Sequence, residues 1–272
     1  TDATVACENC PAGQYQDQVA QGTCDDCPAG QYSSDWRWAK RFGGSHGDEG
    51  RGVATRVDGT TVVTGAFWET VTFGGTSLSS EGLEDVFVAS LNADGSVAWA
   101  KAFGGTSSDM GISVTTRADG TAVVAGYFTG TASFGGTGLS AAGGKDVFVV
   151  SLDTSGTVAW AKSFGGAGAD SGTSVATRGD GTAVVAGYFQ GTVGFGGTSL
   201  SSTGFYDAFV VNLNVDGSVA WATAVYVSPI GQAGTSVAAR ADGTTAMAGL
   251  VYTNTAGTTS HVLVTSIATD GS

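Results

Sequence analysis

The 272 residues carry few charges, 13%, with a net formal charge of −13, an acidic balance that repels phosphate backbones and anionic lipid head groups. Nucleic acid is therefore excluded as an expected partner, and so is membrane insertion by a helix, because no stretch approaches the roughly 18 consecutive apolar residues of a spanning segment. The 42% apolar content, with 45 glycines spread between short runs of Val, Ala, Phe and Thr, excludes a disordered chain and points to β-strands joined by tight turns.

The chain opens at Thr1 without a basic-then-apolar leader, as a mature product or a piece of a longer protein would. Residues 7 to 32 hold a doublet in which Cys7-Glu-Asn-Cys10-Pro11-Ala-Gly13-Gln-Tyr15 returns, 17 residues on, as Cys24-Asp-Asp-Cys27-Pro28-Ala-Gly30-Gln-Tyr32. A segment this short buries too little apolar surface to hold itself, so the cysteines must constrain it. Two constraints fit: disulfides, or a tetrahedral zinc site across the 13-residue gap between the pairs.

The Cys-Pro-Ala-Gly-Gln-Tyr phrases resemble the cysteine-rich repeat of ephrin-receptor-like and tumour-necrosis-factor-receptor-like extracellular modules. That resemblance implies disulfides in an oxidising compartment, with Cys10 joined to Cys24, and Cys7 and Cys27 joined to each other or to segments outside this chain. Residues 1–35 are accordingly expected to form a small disulfide-rich module of a secreted or cell-surface protein. The remaining cysteine-free chain, 36–272, must fold without covalent staples.

From residue 36 the chain is periodic. Trp38, Trp99, Trp160 and Trp221 stand 61 residues apart, giving repeats of approximately 38–98, 99–159, 160–220 and 221–272. Arg56, Arg117, Arg178 and Arg240 recur with them, each just before an Asp-Gly pair: Asp58-Gly59, Asp119-Gly120, Asp180-Gly181 and Asp242-Gly243. Asp-Gly between strand-forming runs predicts a hairpin with a type I′ turn. A second hairpin, turning at Asp94-Gly95, Ser155-Gly156 and Asp216-Gly217, brings the expected count to four strands per repeat. In Asp146-Val-Phe-Val-Val-Ser-Leu152 both alternating faces are largely apolar, so both sides of the sheet should be covered.

The fold expected is all-β, a β-propeller of four four-stranded blades. The repeats resemble the microbial surface family named for seven-bladed propellers through Trp99-Ala-Lys-Ala-Phe-Gly-Gly105, Asp119-Gly-Thr-Ala-Val-Val-Ala-Gly126 and Asp146-Val-Phe-Val149. The resemblance implies a scaffold or interaction surface. The last repeat lacks its fourth strand, and strand 36–42 is expected to pair with 261–268 and close the ring. Phe-Gly-Gly also starts at 42, 73, 103, 134, 164 and 195, steps of 30 or 31, which suggests the alternative of a β-solenoid or open repeat array.

Candidate chemistry is sparse. Gly43-Gly44-Ser45-His46-Gly47 fits the Gly-x-Ser-x-Gly pattern of a nucleophile elbow, but no helix follows it and the equivalent places are plain repeat turns. Two rows of acids recur, Asp48, Asp109 and Asp170, and Asp85, Asp146 and Asp207, with His261 at the last place of the second row. Convergent carboxylates of the first row could hold Ca²⁺, whereas capping of backbone amides and pairing with the arginine row is the plainer reading. The recurring tryptophans fit packing between blades better than sugar stacking, while Trp68, whose equivalents are Thr129 and Gln190, is the expected exposed contact.

The chain thus reads as an extracellular, non-enzymatic structural or interaction protein that needs no cofactor and contacts protein partners or assembles with itself into a surface structure or filament. A carbohydrate-binding surface module is the alternative, and a hydrolase using Ser45 and His46 the third reading.

Overall fold

A computed structural model describes residues 14–15, 25–26, 38–226, 228, 230–252 and 260–272. The chain divides into two units, Thr1–Arg41 and Phe42–Ser272. In the first, β1 (Gln14–Tyr15) pairs antiparallel with β2 (Asp25–Asp26), Gln14 opposite Asp26. Cys7, Cys10, Cys24 and Cys27, on which the expected disulfide bridges fall, all lie outside the described residues, and among the described residues there is no disulfide.

The second unit is built of antiparallel strands. The first repeat supplies β3 (Asp48–Thr55), β4 (Thr61–Phe73), β5 (Thr76–Leu91) and β6 (Val97–Gly105). The second supplies β7 (Met110–Thr116), β8 (Ala122–Phe134), β9 (Thr137–Leu152) and β10 (Val158–Gly166). The third contains β11 (Ser171–Thr177), β12 (Ala183–Phe189), the short hairpin β13 (Thr192–Phe195) and β14 (Thr198–Ser201), then β15 (Asp207–Leu213) and β16 (Val219–Val225). The fourth has three, β17 (Gln232–Ala239), β18 (Thr245–Tyr252) and β19 (Ser260–Ile267).

Short pairings between repeats, Gly104 with Ser133 and Gly165 with Gly194, merge the first two repeats and the β13–β14 hairpin into a ten-stranded sheet. Strands β11, β12, β15 and β16 form a four-stranded sheet, and β17–β19 a three-stranded one. All three are open. The expected propeller, and with it the resemblance to the seven-bladed family as a guide to this fold, is therefore corrected: no sheet closes into a ring or barrel. Nor does the half-period mark a solenoid coil.

The expected closing pairing is not made among the described residues. Of the expected closing strand, residues 36 and 37 lie outside the described ones, and 38–42 form no strand. Gly43 bridges Thr72 of the first repeat, the pairing that Gly104 makes with Ser133 one repeat later, and Phe42 packs on Phe73 at 5.0 Å. That anchors the end of the stretch to the first repeat, and among the described residues β19 pairs with β18 alone.

The expected hairpins occur at both turn positions, but their geometry differs from type I′. At Asp58-Gly59 only the glycine has positive φ, +83°. The amide of Gly59 donates to the carbonyl of Arg56, and that of Arg56 to the carbonyl of Thr60. This is a type I turn followed by a left-handed glycine. Asp58 is selected by its side chain, whose Oδ1 accepts from Thr60 N at 2.9 Å and from its hydroxyl at 2.7 Å. The mirror-image turn occurs instead at the second set of Phe-Gly-Gly phrases, where both glycines are positive: +51° and +94° at Gly74-Gly75, +60° and +90° at Gly135-Gly136. The first set ends strands, and its phenylalanines pack on those of the second set, Phe103 on Phe134 at 5.8 Å and Phe164 on Phe195 at 5.3 Å.

The core lies between successive repeats. Val62, Val86 and Val88 on the leading face of the first repeat pack on Val124, Phe148 and Val150 on the trailing face of the second. Val123, Val147 and Val149 then meet Val185, Phe209 and Val211 of the third, and Val184, Ala208 and Val210 meet Met247 and Leu263 of the fourth. Each large apolar side chain so buried contributes about 1.5–3 kcal/mol, which explains why both faces of each middle repeat are apolar.

Candidate functional site

The recurrent polar residues serve the junctions between repeats. Arg56 Nε donates to the carbonyl of Gly120, in the Asp-Gly turn one repeat ahead, at 2.6 Å, and its guanidinium reaches Ser90 Oγ at 2.9 Å. Arg117 repeats both contacts, with Gly181 at 2.7 Å and Ser151 at 2.9 Å. The extra residue in the fourth repeat moves the third contact, and Arg178 donates to Thr245 Oγ1 at 2.7 Å. The expected pairing of arginines with the acid rows is thus corrected.

The tryptophan row behaves alike. Trp99 Nε1 donates to the carbonyl of Thr154 and Trp160 Nε1 to that of Val215, at 2.9 and 2.8 Å. Their indoles lie close against Gly156 and Gly217, where an added Cβ would fall 2.8 and 2.7 Å from the ring. They are packing residues, as is Trp221 against Gly271.

The acids named as Ca²⁺ candidates each cap a turn of their own. Gly44 N donates to Asp48 Oδ2 at 2.7 Å, Gly105 N to Asp109 Oδ2 at 2.8 Å, and Gly166 N to Asp170 Oδ2 at 2.8 Å. The fourth place in the row holds Gln232, whose Oε1 accepts from Ser228 N at 3.0 Å. An amide can therefore do the same work, and among the described residues no three acids, histidines or cysteines converge as a metal site.

The two acid rows meet in pairs. Asp85 and Asp109 flank Gly104, where an added Cβ would lie 2.5 Å from Asp85 Oδ1 and 2.9 Å from Asp109 Oδ2. Burial, with the neighbouring Asp109 and Glu81 adding to it against the hydrogen bond from Glu81 N, pushes the Asp85 carboxyl up to about 7. Burial likewise pushes Asp109 up to about 6, with Glu84 adding to it. Asp170, near Asp146, is raised by burial to about 6. At the third junction the pair is Asp207 and Gln232, joined by a hydrogen bond from Gln232 Nε2 to Asp207 Oδ1 at 2.7 Å.

An acid whose folded pKa is raised binds its proton more tightly when folded, so stability falls as pH rises from about 4 to about 7. Asp85→Asn should remove the share of that fall that Asp85 contributes. Asn can still accept from Glu81 N and can donate toward Asp109, as Gln232 does to Asp207. At pH 8 the variant should be more stable by about 1–2 kcal/mol after discounting for solvent screening, and at pH 4 the difference should vanish. Urea unfolding at both values checks this, and an equal loss at both would mean that the carboxylate is needed as such.

One corner departs from the repeat pattern. Ser45, His46 and Glu69 lie together at the bulge of β4, with Trp68 the residue before Glu69. Glu69 sits in a bulge with φ +54°, where the later repeats have Gly130 and Gly191. A non-glycine residue in that region stores about 1–2 kcal/mol. Its carboxylate lies 3.1 Å from His46 Nδ1, and Ser45 Oγ is also 3.1 Å from His46 Nδ1. A Ser-His-acid relay needs the acid and the hydroxyl on opposite ring nitrogens, whereas here one nitrogen serves both. The corner is solvent-exposed, and Trp68 beside it is 37% exposed. Sequence reasoning singled out Ser45, His46 and Trp68 but missed Glu69; the replacement of a recurrent glycine by Glu was the available signal.

A family model described as tyrosine-protein kinase ephrin type A/B receptor-like matches residues 1–35, weakly. The match covers 35 of 272 residues and leaves the family of the chain open. No curated protein matches. Among the described residues no helix is long and apolar enough to cross a membrane.

Proposed function

We propose that this chain, whose described part is a repeated, all-β, multi-sheet architecture, serves as a non-catalytic structural scaffold outside the cell, presenting a rigid surface to protein partners. The observation that carries this reading is the reuse of one apolar interface at three successive junctions, with Arg56, Arg117, Arg178, Trp99 and Trp160 of the recurrent rows bonded across those junctions. The receptor-like match over residues 1–35 supports the extracellular placement. Cross-linking of native cell-surface material followed by peptide mapping tests it. Cross-links from the repeat region to other protein chains are expected, and recovery of the protein as a freely soluble, uncross-linked species would count against it.

The exposed Trp68, next in sequence to Glu69, favours a second reading, carbohydrate binding. An indole face stacks on apolar sugar faces. Glycan-array binding lost in Trp68→Ala, with thermal unfolding unchanged, is the outcome this reading requires.

A further inference from the structure

A cavity of about 230 Å³ opens between the first two repeats, lined by Ser79, Glu81 and Asp85 of β5, Gly104 of β6 and Ser133 of β8. Glu81, Gly104 and Ser133 also line an adjoining cavity of about 380 Å³, together with Thr131 and Ser140. The walls therefore offer hydroxyls and two carboxylates. Asp85 is the unusual member: it is 2% exposed, and while its Oδ2 accepts from Glu81 N at 3.0 Å, its Oδ1 has no hydrogen-bond partner among the described residues. Burial raises its pKa, and both charges that act on it, Asp109 and Glu81, add to that rise, so neither is a cation. A buried acceptor is costly to leave without a donor.

The third junction shows what such an oxygen takes. Asp207 stands at the same register place, opposite Phe189 as Asp85 is opposite Phe67, and its Oδ2 likewise accepts from the backbone four residues before it, at Thr203. Its Oδ1 receives a nitrogen donor, Gln232 Nε2, at 2.7 Å. At the first junction the place of Gln232 belongs to Asp109, and a carboxylate only accepts. With both acids ionised, a donor must come from outside the pair. Asp146 Oδ1 at the second junction also lacks a partner, but Ala142 and Gly194 stand there in the places of Glu81 and Ser133, so the second carboxylate and one hydroxyl are missing.

We propose that the cavity at the first junction binds a primary ammonium group, held by the carboxylates of Glu81 and Asp85 and by the hydroxyls of Ser79 and Ser133. An ammonium carries three donors and no acceptor, which matches a wall of acceptors. The net charge of −13 favours the approach of a cation. The group belongs either to a lysine side chain of a protein partner, which deepens the scaffold reading and rests on it, or to a free hydroxylated amine, which needs no partner.

The test follows the backbone amide NMR signals of Glu81, Gly104 and Ser133 in the full chain at about pH 8, with Nα-acetyl-lysine amide and ethanolamine as probes. Saturable shifts with a Kd of about 1–10 mM are expected for at least one probe, and the tighter of the two names the source. Asp85→Asn and Glu81→Gln should each weaken binding about tenfold or more, whereas Glu49→Gln, an exposed change of the same charge, should leave it unaltered. Because the ammonium pairs with ionised Asp85, whose carboxyl faces only Asp109 and Glu81 as charged neighbours, binding of the lysine amide should also weaken about tenfold or more from about pH 8 to about pH 5. Absence of saturable shifts with both probes up to about 100 mM overturns the proposal. So does equal binding of the neutral counterparts Nα-acetyl-norleucine amide and ethylene glycol, binding that both variants leave unchanged, or Ca²⁺ shifting the same signals at lower concentration than either amine. Probe binding without cross-links from the repeat region to other proteins would reject the scaffold reading and leave this site standing; cross-links without probe binding would do the reverse.

Discussion

Gly126→Ala should unfold the second repeat, with a loss above about 4 kcal/mol, larger than any surface change can produce. A Cβ at this position would lie 1.9 Å from the carbonyl oxygen of Met110 and 2.9 Å from Cε1 of Phe148. Neither can give way. Met110 is held by pairing to Tyr127 at the start of β7, next to the bulge between Gly111 and Ser113, and Phe148 is fully buried. The same site recurs at Gly65, Gly187 and Gly249, where the nearest carbonyl would lie 1.8, 2.0 and 2.2 Å away. Gly138→Ala is the control, since nothing lies within 4 Å of its added Cβ, and it should change stability by less than about 0.5 kcal/mol. Chemical denaturation compares them, and a Gly126→Ala protein of near wild-type midpoint would show that the bulge can move.

Phe148→Ala should cost about 3–5 kcal/mol. The ring lies in the cluster between the first two repeats, 4.6 Å from Phe134, which in turn stacks on Phe103 of the preceding repeat. Its removal takes a contact from each side of the junction and leaves a space that neither sheet can collapse to fill. Phe148→Leu should lose less than half as much, because most of the volume is kept. Equal losses for the two variants, in urea unfolding followed by tryptophan fluorescence, would mean that ring stacking and not volume holds the junction.

Much of this fold was legible in the sequence because its information is local. The tryptophan spacing located the repeats, Asp-Gly located the turns, and the doubly apolar run ending at Leu152 announced a sheet covered on both faces. Turn type was misread because Asp-Gly satisfies two geometries; the Thr60 amide captured by Asp58 decides between them, and that contact requires the residue after the glycine. The alternation of Phe-Gly-Gly was likewise ambiguous, since two phrases of identical sequence occupy a hairpin tip and a strand end. Closure was not legible at all. It depends on long-range pairing of stretch 38–42, and at the equivalent β6 the same strand pairs with β5 and bridges the next repeat through Gly104, so the bridge from Gly43 to Thr72 does not by itself decide the matter. For the candidate site, the sequence located Ser45, His46 and Trp68 but could not show that one ring nitrogen faces both Ser45 and Glu69. The acid rows were found in sequence, but their meeting in pairs at Gly104 follows from the register of β5 against β6.

Each repeat reaches only its immediate neighbours, through one face behind and one ahead. A tandem duplication of a single 61-residue unit within the gene would therefore insert a sheet whose two faces both find ready-made partners, and a deletion would rejoin two faces that already fit. The length of the array is thus free to change by recombination in whole units, without any compensating substitution in the repeats that remain.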